Sequence, residues 1–479
     1  MSDSAPPELP AEGEAHQPPI APAETNDLPE KAEAQTTVES SIAELSAAEQ
    51  KSAAADDSHQ ATNGVPQPTS DATASRSDPA PAPVQTTTLS DAPQSEEPET
   101  RPAVLIIGGL GYIGRFLATY IHSNKLASTL RLVDKQLPQL ASLAPEHLEA
   151  CSTNFLQADA SREQSQSRIF DLPAKPDGSK QEFDFVFNCG GETRFSQEDE
   201  VYKLRSYELS LTVGKEAAKR NVKAFVELSL GSVYNGSRTP QKETDKTTKP
   251  HTKQAKWKLA AETELAKIPK LNLVVLRLPN VYGPYVGRWL GTQLTLARLY
   301  SSRTPKATMK WLWSGDLRTN TIHVQDAARA IWLAAEWRSK NSSIPNATSA
   351  DRIVFNVVDR GQTTQGTLAN IIKEIFDIET GFYNALVNTF ARMNMDHVVD
   401  DVNDDTLDDW ADLQEKAGVK GNGGPLTPFM EKELLKDADL SLDGSRFEEV
   451  VGFVPKHERL SKQEVEAVIE SYRTMKWWP

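Results

Sequence analysis

The chain has 479 residues, 38% hydrophobic and 25% charged, with a formal net charge of −15. The charge is lopsided: residues 1–100 hold 19 acidic and 3 basic side chains (Lys31, Lys51, Arg76), a net of −16, and the remainder is near neutral at +1. That first stretch has no Phe, Tyr or Trp and 14 of the 30 prolines, so it cannot bury enough apolar surface to offset its ordering entropy, and a disordered acidic arm is expected. No apolar h-region follows Met1, the arm is too acidic for a mitochondrial transit peptide, and no run of about 18 apolar residues supports a membrane span. Two cysteines, Cys151 and Cys189, make no disulfide framework, so a reducing, cytoplasmic setting is expected. The charge balance argues against nucleic acid as a partner.

Composition changes at Arg101. Pro102-Ala-Val-Leu-Ile-Ile107 is apolar at successive positions, which suits a parallel strand covered on both faces. Gly108-Gly-Leu-Gly111-Tyr-Ile-Gly114 follows, and Arg115 to Ser123 has helical apolar spacing. Leu130–Asp134, Asn154–Asp159 and Phe183–Cys189 read as strands, residues 200–220 as a helix and Val222–Ser229 as a strand. Residues 255–267 read as a helix and Leu271–Arg277 as a strand. Strands alternating with helices predict an α/β fold: a doubly wound parallel sheet of Rossmann type with a dinucleotide crevice. Further on, Ile353–Val358 is a strand candidate and Thr367–Phe376 a helix. Residues 396–414 form an acidic surface stretch, Gly421–Pro425 is a breaker cluster, and Ser461–Tyr472 is a last helix with capping-box spacing at Ser461 and Glu464. Lys476-Trp-Trp-Pro479 should dock on the body, because two adjacent exposed tryptophans would be costly. The expected division is the arm (1–100) and a nucleotide-binding body (101–479), with a smaller substrate-like lobe formed mainly by 284–322 and 360–479.

In the glycine turn the first glycine permits a tight turn, the second lets backbone approach a pyrophosphate, and the third allows close helix–strand packing. The helix N-terminal amides then face phosphate charge. Asp134 lies twenty residues beyond Gly114 at a strand end, where a carboxylate accepts from the adenosine ribose hydroxyls and repels a 2′-phosphate. NAD is therefore the favoured cofactor, with NADP left open by Lys135.

The glycine motif and later segments together resemble the extended short-chain dehydrogenase/reductase family, of NAD-dependent epimerase/dehydratase type. The likeness runs from Ala103 nearly to the C-terminus. Gly108, Gly111, Tyr112, Ile113 and Gly114 resemble its nucleotide-binding opening. Gln157-Ala-Asp159 resembles the segment whose Asp bonds adenine. Asn188-Cys189-Gly190-Gly191 sits where the family sets small residues against the cofactor. Lys258 matches the family lysine, and Arg277-Leu-Pro279-Asn280-Val-Tyr-Gly-Pro284 matches the turn beside nicotinamide and substrate. Ile322-His-Val-Gln-Asp326, Leu442–Phe447 and Val451–Pro455 resemble its C-terminal segments. The resemblance implies a bound dinucleotide, a small-molecule substrate and a homodimer.

The departures carry as much weight. In register with Lys258, the family's proton-transferring tyrosine is Gln254. Its Ser/Thr position is Leu230, flanked by Ser229 and Ser232, and its middle-helix Asn is Tyr207. An amide does not titrate, so Lys258 is expected to act as a cofactor ribose contact rather than in catalysis. Tyr234, Tyr282, His251 and His323 are the other proton-transfer candidates, with His323 expected as a structural or capping residue. Thr319 holds the place of the family's substrate-phosphate arginine, Arg318 stands one position before it, and one step in a strand reverses the face. The aspartates at 400, 401, 404, 405, 408 and 409 lack the EF-hand pattern and read as a solvated face, and no metal site is expected. Trp311 and Trp313 are expected on one strand face. The leading expectation is an NAD(P)-binding protein with a degenerate or rearranged, non-catalytic site. The alternative is an NAD-dependent oxidoreductase or epimerase acting on a carbinol or nucleotide sugar. A binding module that uses the arm is the third.

Overall fold

A computed structural model describes residues 101–175, 178–346, 353–419 and 424–479. The arm and most of the Gly421–Pro425 breaker lie outside the described residues. The strands, in chain order, are β1 (Ala103–Ile107), β2 (Thr129–Asp134), β3 (Phe155–Gln157), β4 (Phe185–Asn188), β5 (Ala224–Leu230), β6 (Leu273–Leu278), β7 (Asn280–Tyr282), β8 (Met309–Trp311), β9 (Thr321–His323), β10 (Val354–Asn356) and β11 (Thr380–Phe382). Seven of them form one parallel sheet in the order β10-β6-β5-β4-β1-β2-β3. The order reverses at β1, so the strand carrying the glycine turn borders a switch-point crevice.

Both sheet faces are covered, which is why β1 reads as continuous apolar sequence. Val104 and Ile106 pack with Phe116, Leu117 and Ile121 of α1 (Tyr112–Ser123). Ala103, Leu105 and Ile107 point the other way, onto Leu209, Val213 and Ala217 of α2 (Leu209–Lys219) and Leu265 of α3 (Lys253–Leu265). The period-2 alternation of a strand makes that division. The stretch read as one helix over 200–220 is in three parts. Asp199–Tyr202 is α-helical, Lys203–Glu208 is a π-turn, and α2 follows.

A second core unites Tyr282, Val286, α4 (Leu290–Ser302), α6 (Gln365–Phe376) and α8 (Lys462–Thr474). Between α4 and α6, α5 (Val324–Lys340) covers the same sheet face as α1. Trp477 is buried in the second core and Trp478 packs at its edge, so the terminal tryptophans dock as expected. The acidic stretch is α7 (Met395–Lys416), which buries Val399, Asn403, Thr406 and Trp410 and leaves its aspartates outside. The shared face expected for Trp311 and Trp313 is not observed. Strand β8 ends at Trp311, Trp313 has φ +72°, and the two rings join different apolar clusters.

No helix among the described residues is long and apolar enough to cross a membrane.

Candidate nucleotide-binding and active site

The glycine turn is built by exclusion of side chains. Gly108 has φ +71°, and a Cβ on it would lie 2.8 Å from the Gly190 backbone. A Cβ on Gly114 would strike the Gly108 carbonyl oxygen. Gly111 differs: a Cβ there meets only that same oxygen, at 3.2 Å, because this glycine faces the open crevice. It is the N-cap of α1, and no side chain caps that helix end. The Tyr112 and Ile113 amides of its first turn thus belong to an anion-accepting helix terminus. Arg115 holds the turn from beneath, its guanidinium donating to the carbonyls of Leu110 and Ala141.

On the β2 side of the glycine turn, Asp134 ends β2. Its Oδ2 accepts from the Leu110 amide at 3.2 Å and its Oδ1 from the Gln136 amide at 3.2 Å. Lys135 turns to Asp159, with Nζ 3.2 Å from the carboxylate. Asp159 also accepts from the Ser161 hydroxyl at 2.6 Å and pairs with Arg162.

On the other side of β1, β4 ends at Asn188. Cys189, half-buried, and Gly190 follow against Gly108; burial pushes the Cys189 thiol up to about 12. Below this turn lies a polar group that the sequence reading did not single out. Glu227, fully buried in mid-β5, accepts from Lys258 Nζ (2.9 Å), Asn188 Nδ2 (2.6 Å) and Ser210 Oγ (2.9 Å). Lys258 Nζ donates as well to the Gly190 carbonyl at 3.2 Å. Lys258 is therefore no surface-helix lysine: it is 5% exposed and ion-paired. A carboxylate inside the otherwise apolar Ala-Phe-Val-Glu-Leu run was the visible signal, because a charge is rarely fully buried unpaired.

The surroundings of Gln254 and Leu230 are different in kind. Gln254 is buried, and its Nε2 donates to the Glu192 carbonyl at 2.8 Å. Leu230 packs into the small cluster of Val233, Tyr234 and Ala255. Its neighbour Ser229 points away, donating to Glu262, which in turn pairs with Arg277 at 2.6 Å. The π-turn changes which residue of the middle helix faces inward. Ser206, fully buried, accepts from the Glu192 amide at 3.0 Å. Tyr207 instead packs on Trp257 and lines a surface groove with it. The π-turn rotates the helical register, so Ser206 faces inward and Tyr207 faces the groove. Burial alone would raise the Glu192 carboxyl, but bonds from Arg194 and Arg205 outweigh it and bring it down to about 2.

Among the remaining proton-transfer candidates, the Tyr282 hydroxyl and His251 Nε2 are buried without a hydrogen-bond partner among the described residues. Tyr234 donates to Asn356 at 2.8 Å in the interior. Tyr282 is buried with its ring against His323, and burial raises its hydroxyl far above the ordinary value. His251 sits in a loop, and burial lowers its pKa. His323 caps α5, its Nδ1 accepting from the Gln325 amide at 3.3 Å. Arg318 donates to the Gln362 carbonyl at 2.8 Å. Asn280, next to Pro279, is tied to the Asn320 carbonyl through its own amide at 3.1 Å.

His323, His457 and Glu464 are the one trio of metal-type side chains with close ligand atoms among the described residues. Their rings and bonds argue for a hydrogen-bonded stack. The imidazoles are parallel to within 21° at 3.6 Å, and His457 Nδ1 bonds Glu464 at 2.8 Å. Because His323 Nδ1 accepts, its Nε2 carries the proton and points a donor at Glu464, 3.8 Å away. Burial first, and His457 second, hold the His323 pKa down to about 3.

Residues 104–347, just over half of the chain, match the family model described as the NAD dependent epimerase/dehydratase family. The protein belongs to this family. Solved structures with the same fold include UDP-glucose 4-epimerase from Thermotoga maritima with UDP-glucose (20% identity, TM-score 0.51, covering 78% of this chain and 98% of that one). The Bordetella bronchiseptica enzyme WbmG in complex with NAD and UDP is similar at 15% identity (TM-score 0.53, 79% and 97%). ADP-L-glycero-D-manno-heptose-6-epimerase from Helicobacter pylori is similar at 14% identity (TM-score 0.53, 79% and 98%). No curated protein matches the sequence.

Proposed function

We propose that the protein binds NAD across the β1 crevice and acts as an NAD-dependent oxidoreductase or epimerase on a carbinol, with a nucleotide sugar as the substrate class. The observation that carries the cofactor assignment is the side-chain-free crossing of Gly108, Gly114 and Gly190, beside an open helix terminus at Gly111. Tyr112 and Ile113 would offer their amides to the pyrophosphate. Asp134 would accept from the adenosine ribose, and Asp159, Cys189, Pro279 and Asn280 would line the rest of the cleft. Lys135 is committed to Asp159, so no free ammonium waits there for a 2′-phosphate, which favours NAD over NADP. When bound, NAD accepts or returns a hydride at a substrate carbon. The substrate class rests on the relatives, whose names include UDP-glucose 4-epimerase. Residues 284–322 and 360–479, which contribute most of the second core, are assigned as the substrate-side lobe. A homodimer and a cytoplasmic setting complete the reading.

A second reading is favoured by one observation. Gln254 and Leu230 hold the places of the proton-transferring tyrosine and its hydroxyl partner, and both are used in packing. On that reading NAD is bound without turnover. The test is incubation of the full chain with NAD and a panel of UDP-sugars, followed by absorbance at the reduced-nicotinamide band and by NMR of the sugar. Product above a protein-free control supports the enzyme. NAD uptake with unchanged sugars throughout supports the non-catalytic reading.

A further inference from the structure

The nucleotide cleft has a charged support that the family resemblance did not anticipate. Glu227 lies in the central strand β5 at 0% exposure, where an unpaired carboxylate would be very unfavourable. Three donors satisfy it: the Lys258 ammonium at 2.9 Å, the Asn188 amide at 2.6 Å and the Ser210 hydroxyl at 2.9 Å. Asn188 Oδ1 in turn accepts from the Gly190 amide at 3.2 Å, and Lys258 Nζ donates to the Gly190 carbonyl at 3.2 Å. Both ends of Gly190 are thus tied to groups that Glu227 holds. A Cβ on Gly191 would sit 3.4 Å from Lys258 Cε and 3.5 Å from Nζ, so the lysine lies directly against this turn. Gly190 is also the residue that approaches Gly108 across the crevice.

We propose that Glu227 and Lys258 form one positioning unit that fixes the Gly190–Gly191 floor of the cofactor cleft, so that Lys258 serves the cofactor through this floor rather than through a direct ribose contact. Two of the three ammonium donors are spent on Glu227 and Gly190, and the charge is neutralised inside the protein. This rests on the reading that the crevice holds NAD. The floor lies on the β4 side of β1, opposite Asp134, so it bears on the nicotinamide half of the dinucleotide. The glycine turn and Asp134 bear on the ADP half.

The test compares the full chain with Glu227→Gln, Lys258→Met and the double variant, by titration calorimetry with NAD and with ADP and by thermal melting. Each single variant leaves a buried partner without its counter-charge, and the double variant removes both charges together. Each single variant and the double variant should weaken NAD about tenfold with ADP affinity unchanged, because all three undo the same floor. Should a single variant fail to fold, the double variant carries the comparison, because it leaves no unpaired charge. Loss of NAD affinity on Lys258→Met with none on Glu227→Gln would assign the lysine a direct contact and overturn the proposal. So would single variants that weaken NAD and ADP equally, since that marks a general structural loss. A parent that binds neither ligand overturns the cofactor reading and this proposal with it. In that case the melts still report separately whether the two charges are coupled.

Discussion

The two sides of the cleft have been held to different standards. The nucleotide side keeps Gly108 and Gly114 where a Cβ would collide with backbone, and keeps Asp134 at the strand end. Around Gln254 and Leu230, the positions that the resemblance gives to the family's phenol and hydroxyl, an amide and an isobutyl group are packed into the interior. The contrast separates binding from chemistry. A backbone cradle depends on shape and tolerates almost nothing else, whereas proton transfer depends on titrating groups that can be lost without disturbing the fold.

The sharpest way to break this comparison is Gly114→Ala. The new methyl strikes the Gly108 carbonyl oxygen, which is backbone and cannot swing aside. A loss of about 3 kcal/mol in stability is expected from chemical denaturation, together with loss of NAD binding. Normal stability with normal NAD affinity would show that the crossing is not tight.

A smaller effect is expected from Asp359, which accepts from the Thr321 hydroxyl at 2.6 Å beside the β7–β9 pair. Burial raises its carboxyl to about 6 from an ordinary 3.8, against the hydrogen bonds from Thr321 and Gly361. The folded-state value lies above the unfolded one, so the group's contribution is fully present below pH 3.8 and is lost as pH rises through 6. Asp359→Asn should therefore gain progressively on the parent from pH 3.8 to 6 and hold that gain at pH 7, by up to about 3 kcal/mol in denaturant melts. A difference that does not change with pH would contradict this.

Gln254→Leu sharpens the contrast from the other side. It leaves the Glu192 carbonyl without its donor and should cost about 1 kcal/mol, while NAD affinity stays near the parent's. A large loss of NAD affinity would make Gln254 a cofactor residue. The smallest effect is expected from removing residues 1–100, whose composition supplies no aromatic core. The melting temperature of the remainder should be nearly unchanged.

Much of the fold was legible because the chemistry is local. The continuous apolar run Pro102–Ile107 announced a strand buried on both faces, the mainly apolar Leu271–Arg277 announced another strand, and Gly108–Gly114 announced the turn between one strand and its helix. What linear spacing did not reach depends on geometry. The π-turn at Lys203–Glu208 exchanged Ser206 for Tyr207 as the inward residue. The Glu227–Lys258 pair joins residues 31 positions apart, so neither side chain could be assigned its partner before the sheet was assembled. The left-handed turn at Trp313, which divided the two tryptophans, has no sequence signal, because nothing but a positive φ distinguishes it from a continued strand.

The most direct test of the central claim is equilibrium titration of the purified full chain with NAD and NADP, after any co-purified nucleotide has been released by denaturation and weighed. Saturable binding of one NAD per chain, with NADP clearly weaker, is the expected result. A chain that carries no nucleotide and takes up neither would contradict the claim that the nucleotide side remains functional.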